Sequence, residues 1–335
     1  MEHTPWVESC GAVCGKKEGD GPLGHRFDRV FEDITRAEDT WEQSESALQK
    51  EAVSSALHKG GLTTEDMDCV FAGDLLNQCA ASSFALRDTG IPFLGQYAAC
   101  ATIGQGLLMA AVFAECGASQ RSLAVTSSHF CAAERQFRLP LEYGGQRTPT
   151  SQWTSTASGA VVVSSEDTVP ILPRKTKRKV KIRKVTIGRI RDLGVKDMNN
   201  MGAAMAPAAA ETLLSFFRDT GTLPDDYDRI FTGDLGEIGT QLFYTLTKDA
   251  GISVEQRHSD CGLLLYDRGK QDVHAGGSGC GCASSVLCAE ILPQMERGEM
   301  QSVLFLPTGA LLSQTSAMQG ETIPAVSHLI HFAAE

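Results

Sequence analysis

No stretch of the chain approaches 18 consecutive apolar residues, so the sequence predicts no transmembrane helix. The start, MEHTPWVESC, has no basic segment followed by an apolar one, and a secretory signal is not expected there. Cysteine is present eleven times but without metal-type spacing, apart from Cys280-x-Cys282. An odd number of scattered cysteines in 335 residues argues against a disulfide framework and for a reduced, cytoplasmic-type environment. Basic residues are outnumbered, 30 to 41, and a net charge of −11 lacks the extended positive face that nucleic-acid binding requires.

What the chain does contain is a duplication. Adding 160 takes Glu51 to Glu211, Gly61 to Gly221, Asp66 to Asp226, Asp68 to Asp228, Phe71 to Phe231, and Gly73-Asp74-Leu75 to Gly233-Asp234-Leu235. Further on, an offset near 180 links Cys100 to Cys280 and Ser122 to Ser302, so the second copy carries about twenty extra residues within 252–275. With 42% hydrophobic residues the two copies can bury one shared core. The boundaries read as 1–170 for the first half, 171–185 for a connector and 186–335 for the second half.

The pattern of the first copy predicts a helix at 41–59 with Leu48, Ala52 and Ala56 on one side, then a buried strand, Cys69–Ala72. A helix near 79–88, a strand near 92–97, a helix over 102–116 and strands Leu123–Ser127 and Ala160–Ser164 follow. The second copy predicts a helix at 207–218, strands at 228–232 and 303–307, and a last strand near 325–332. A further strand is expected over Lys181–Arg189. This alternation implies an α/β fold of βαβ-type halves with mostly parallel pairing.

Four features bear on chemistry. Cys100 follows two alanines at a strand-to-helix turn, where the helix amino terminus is expected to favour a thiolate nucleophile. His258-Ser259-Asp260 lies in the extra residues of the second copy and offers a general base or hydrogen-bond donor. The run Ala275–Cys282 either cradles an anion with its amides or makes a tight turn before a helix that reaches about 296. The long loop 129–158, with His129, Arg135 and Arg138, is either a binding loop or a covering segment. The Gly73-Asp74 and Gly233-Asp234 pairs read as matching structural turns. Eight cations crowd residues 174–184: Arg174, Lys175, Lys177, Arg178, Lys179, Lys181, Arg183 and Lys184. Without them the rest of the chain stands at −19, and the run is either a solvated connector or an attachment to an anionic membrane surface.

The duplication, the Cys100 elbow and Thr156–Val163 resemble the thiolase and ketoacyl synthase superfamily. Phe71–Gln78, Ala132–Arg138 with Glu142–Gln146, Asp20–His25, Met201–Ala210, His258–Cys261 and Thr308–Ser313 resemble something narrower, the stage V sporulation protein AD family. The resemblance implies a thiolase-like fold of two pseudo-symmetric halves in an αβαβα arrangement. It implies a non-catalytic sporulation protein that binds dipicolinic acid, pyridine-2,6-dicarboxylate. Its membrane partners, from the stage V sporulation A operon, move that acid into the forespore and out at germination. The location implied is peripheral, at the spore inner membrane, and a homodimer is compatible with it. In condensing enzymes a cysteine works with a histidine and a second histidine or asparagine. Cys100 and His258 stand for the first two, but the third position is nearest Cys280, which cannot polarise a carbonyl. The expected ligand contacts are Cys100, His129, Arg135, Arg138, His258, Asp260, Gly276, Gly277 and Cys280. No metal site and no cofactor are expected, except calcium arriving with dipicolinate, to which Asp260 would offer oxygen. The rival readings are an active acyltransferase, acylated at Cys100 with His258 as base, and a structural adaptor with a vestigial cleft.

Overall fold

Both copies contribute to one sheet. The computed structural model describes residues 3–35, 38–137, 147–172 and 178–335; Arg138, Tyr143, Arg174, Lys175 and Lys177 lie outside the described residues. The first half runs β1 (Trp6–Gly15), α1 (Lys16–Gly19), β2 (Arg29–Phe31), α2 (Trp41–Gly60), β3 (Cys69–Gly73), α3 (Ala80–Leu86) and β4 (Phe93–Gly95). It continues through α4 (Thr102–Glu115), β5 (Arg121–Ser128), α5 (Phe130–Phe137), β6 (Trp153–Thr154) and β7 (Ala157–Ser164). The second half runs β8 (Val180–Thr186), α6 (Met201–Thr220), β9 (Arg229–Thr232), α7 (Gly236–Asp249), β10 (His258–Asp260), α8 (Cys261–Leu264) and β11 (Gly277–Ser278). After α9 (Cys280–Val286), a π-helical turn and α10 (Leu292–Arg297) come β12 (Ser302–Leu306), β13 (Thr308–Ala310), α11 (Gln314–Met318), β14 (Ala325–Ser327) and β15 (Leu329–Ala334).

The strand order β10-β9-β12-β15-β8-β1-β7-β5-β3-β4 makes the duplication visible. Counted outward from the centre, β1-β7-β5-β3-β4 and β8-β15-β12-β9-β10 are the same arrangement. They meet where Trp6 and Val7 pair with Lys181 and Val180. Pairing is parallel at the outer strands, β3 with β4 and β5, and β9 with β10 and β12. It is antiparallel at the centre, where β7 lies between β1 and β5 and β15 between β8 and β12. The expectation of mostly parallel pairing is thus corrected: the last strand of each copy returns against its neighbours.

Three cores define the layers. Leu48, Ala52, Val53 and Ala56 of α2 cover Val70, Leu123 and Val162 on one face of the first half. Ala208, Leu213 and Phe216 of α6 cover Ile230, Leu304 and Leu329 on the second. Between the halves, Ile103 and Leu107 of α4 and Ala283 and Val286 of α9 pack with Val161, Val303, Phe305 and Phe332. The two halves of the sheet thus pack against opposite sides of α4 and α9, so the layers read αβαβα with these helices as the shared middle layer. Each fully buried Leu or Phe there contributes about 1.5–3 kcal/mol. The close approach of α9 to β7 needs a glycine: a Cβ on Gly159 would lie 2.3 Å from the Ser284 carbonyl oxygen.

Local boundaries follow from capping chemistry. A Thr40–Gln43 capping box opens α2, and Gly61, at φ 67°, closes it. Asn200 caps α6 by accepting from Ala203 N, so that helix starts at 201, six residues before the expected 207, and continues through Pro207.

Candidate functional site

The shared middle layer brings the first turns of α4 and α9 together, and with them Cys100 and Cys280. Ala99 takes up the left-handed conformation, φ 49°, which forms the elbow. The Thr102 hydroxyl locks it by donating to Ala99 O (2.5 Å) and accepting from Ala98 N (3.0 Å). The Cys280 thiol also donates to Ala99 O, at 2.9 Å. Cys100, Cys280, Leu75, Ala99 and Ala133 form one small buried cluster.

A carboxylate faces Cys100. Asp234 lies just past the end of β9, is fully buried, and accepts from Ser278 Oγ (2.7 Å), Thr308 Oγ1 (2.8 Å) and Gly279 N (3.2 Å). Ser278 Oγ lies 3.6 Å from Cys100 Sγ, and because its own proton goes to Asp234 the Cys100 thiol is the donor to that oxygen. Burial, and then the Asp234 charge, push the thiol well above its usual pKa. The expectation of a helix-favoured thiolate is therefore corrected: desolvation and a neighbouring anion outweigh the helix terminus. Burial raises Asp234 as well, against the donors that stabilise its charge.

The Gly-rich turn uses its amides internally. Gly279 N serves Asp234, Gly281 N donates to Ser128 Oγ (3.0 Å), and Gly276 N donates to Val273 O (3.1 Å). Gly277 O accepts from Gln152 Nε2 at 2.9 Å. The anion held at Gly279 is thus the chain's own Asp234. The aspartates of the two Gly-Asp pairs do more than shape turns: Asp74, the corresponding residue of the first copy, accepts from Ser82 N, Ser82 Oγ and Leu76 N. The sequence signal for Asp234 is the second Gly-Asp pair, which lies in register with the first.

His258 and Asp260 form the adjoining network. The Thr232 hydroxyl gives its proton to Asp260 Oδ2 (2.7 Å), so His258 Nε2, 2.8 Å from Thr232 Oγ1, must be the donor to that hydroxyl oxygen. His258 Nδ1 then accepts from Tyr244 OH at 2.9 Å. Burial holds this imidazole neutral, with a pKa lowered to about 3. Asp260 also accepts from Leu235 N, Gly236 N and Leu263 N, and burial raises it to about 6, with Asp234 nearby adding to the rise. Both ring nitrogens are engaged by protein partners, and no free base faces Cys100 from this residue.

The remaining expected contacts point elsewhere. The first part of loop 129–158 is the helix α5, whose Ala133 and Phe137 pack towards Cys100. Arg135 instead pairs with Glu42 and lies 5.6 Å from the Trp41 ring. His129 Nε2 is 3.0 Å from Ile34 O. Arg138 lies outside the described residues. In the basic run, Lys181 and Arg183 sit in β8 and pair with Glu335, while Lys179 Nζ lies 4.3 Å over the Trp6 ring.

A duplicated five-layer α/β fold, with a cysteine elbow and a Gly-rich turn meeting in the middle layer, defines a thiolase-like protein. Solved structures agree on the fold. 3-Oxoacyl-acyl-carrier-protein synthase III from Aquifex aeolicus is 12% identical, with 98% and 99% of the two chains covered and a TM-score of 0.57. Acetamide-bound OleA from Xanthomonas campestris is 13% identical, with 98% of each chain covered and a TM-score of 0.63. The family described as Stage V sporulation protein AD matches residues 1–333. Stage V sporulation protein AD of Bacillus subtilis is 43% identical over 332 residues, 99% of this chain and 95% of the relative. The chain belongs to the stage V sporulation protein AD family.

Proposed function

We propose that this sporulation protein is a non-catalytic binder of dipicolinic acid on a thiolase-like scaffold, and that it works with membrane partners in uptake and germination. One observation carries the non-catalytic reading: the buried Cys100 thiol donates to Ser278 Oγ, which itself donates to the Asp234 carboxylate, and both nitrogens of His258 are already bonded. A condensing enzyme needs a thiolate and a free proton acceptor, and this arrangement favours neither.

The carboxylates also bear on the form of the ligand. A free dianion would be repelled by Asp234 and Asp260, whereas a chelate that brings calcium presents a cation to them. Among the described residues no group of three or more His, Cys, Asp or Glu could hold a metal ion. Dipicolinate supplies three donors, its ring nitrogen and one oxygen from each carboxylate, and water together with a protein carboxylate oxygen would fill the rest of a six- to eight-coordinate shell. Calorimetric titration of the full chain with dipicolinate, with and without calcium, tests this: calcium should add a binding component that weakens in Asp234→Asn. Absence of binding by folded wild type refutes the ligand. Turnover of acetoacetyl-coenzyme A that vanishes in Cys100→Ser would favour the acyltransferase instead.

Among the described residues no helix is long and apolar enough to cross a membrane. Attachment at the spore inner membrane is proposed to run through partner proteins, with the basic run aiding contact with anionic lipid. A homodimer is compatible with this reading.

A further inference from the structure

A second cluster, outside the Cys100 nest, joins two cations to one aromatic ring. Phe130 stacks flat on Trp153, with centroids 3.6 Å apart and planes 5° apart, and so fills one face of the indole. Lys17 Nζ, 3.4 Å from the Trp153 centroid, must take the other face. Arg147 Cζ lies 4.7 Å from the same centroid. Two cations beside one ring repel, and burial and then Arg147 lower the Lys17 pKa.

Asp272 offsets them, with Glu18 adding a smaller attraction for Lys17. The Asp272 carboxylate lies 2.9 Å from Arg147 Nη2 and 3.4 Å from His274 Nε2. Its backbone oxygen accepts from Lys17 Nζ and Arg147 Nη2, each at 3.0 Å. Burial is unequal: the Arg147 side chain is 13% exposed and the Asp272 side chain 74%. The guanidinium is built in, and its counter-charge stands in solvent. Arg147 Nη1 and Trp153 Nε1, both shielded, find no acceptor among the described residues. Asp272 belongs to the extra segment of the second copy, so the duplicated architecture does not require it there.

We propose that Lys17, Arg147 and His274 form an oxyanion site whose ligand, a small carboxylate or phosphate dianion, replaces the Asp272 carboxylate on Arg147. The guanidinium fork suits two oxygens of either group. Trp153 pairs with Gly277, and Thr154 with Ser278, so the site lies at the outer end of the ladder whose inner end touches Cys100. On a chain of net charge −11 it gives an anion a positive landing point beside the nest.

The test titrates the full chain with calcium-free dipicolinate and, separately, with inorganic phosphate, reading heat and tryptophan fluorescence. Asp272→Asn, a surface change, should tighten binding about tenfold by removing the internal competitor, and Arg147→Gln should weaken it about tenfold or more. Binding of phosphate alone or of dipicolinate alone identifies the source of the oxyanion. Failure of both anions to bind wild type and Asp272→Asn at about 10 mM overturns the site, as does binding indifferent to both variants. The Cys100-nest reading fails separately: calcium-dependent binding insensitive to Asp234→Asn refutes that reading and leaves this one standing.

Discussion

Replacing Asp234 with Asn removes one charge from beside Cys100 while keeping the size of the side chain. Ser278 Oγ touches both groups, 2.7 Å from the Asp234 carboxylate and 3.6 Å from Cys100 Sγ. Two unit charges about 6 Å apart, the most such a bridge allows, repel by roughly 3 kcal/mol at an effective dielectric of about 20. That is about two pKa units, so the thiolate fraction of Cys100 should rise roughly 100-fold. Alkylation by iodoacetamide at about pH 8 should accelerate by the same order, since the thiolate is the reactive species. Peptide mass spectrometry follows each cysteine separately. Exposed Cys116 reports reagent activity, and buried Cys280, whose upward shift comes from burial and then from Cys100, Asp74 and Glu45, reports opening of the nest. A Cys100 rate unchanged relative to Cys116 would mean that Asp234 carries no charge against the thiol. An equal rise at Cys280 would mean that the variant merely opens the nest. Either result refutes the reasoning.

The His258–Asp260 network predicts a masked pH dependence. Folded His258 stays neutral to about pH 3 and an unfolded histidine protonates near 6.5, so its stabilisation is present above 6.5 and is lost as pH falls. Asp260 has the opposite sign: its carboxyl takes up a proton near pH 6 when folded but only near 3.8 when unfolded, so its stabilisation grows as pH falls. Between about pH 6 and 4 the two offset each other at roughly 1.4 kcal/mol per unit, and urea unfolding of Asp260→Asn should fall more steeply with acid than wild type; parallel curves would contradict this. Gly159→Ala should destabilise by about 1–3 kcal/mol, because its methyl would meet the Ser284 carbonyl; an unchanged urea midpoint would show that α9 can retreat from β7 at little cost. Neutralising the Lys and Arg residues of 174–184 should weaken binding to anionic liposomes and flatten its salt dependence, and unchanged binding would leave the run a connector.

Much of the architecture was legible because burial leaves a period in the sequence. Leu48, Ala52 and Ala56 repeat at helical spacing, and they do line the covered face of α2. Other elements carried no such signal. β1 is buried along its whole length, Trp6–Gly15, and includes Glu8, Ser9 and Gly11, so nothing alternates along it. Arg121 partners Glu8 there, a residue 113 positions away. α5 opens loop 129–158 as a helix because Ala132 and Ala133 are buried while Arg135 turns outward to Glu42.

By itself the sequence determined two copies of one α/β unit, the positions of the Cys100 elbow and the Gly-rich turn, and the extra segment that carries His258 and Asp272. Those follow from local spacing and from comparison of the chain with itself. Only the tertiary structure decided what each group faces. It buried the first copy's Cys100 and set the second copy's Asp234 near it, and so raised the thiol that helix position alone would have lowered. It closed both nitrogens of His258 on Thr232 and Tyr244. It also brought Asp272 onto Arg147, 125 residues earlier in the chain. Protonation depends on burial and on charges a few ångströms away in space, and sequence separation carries neither.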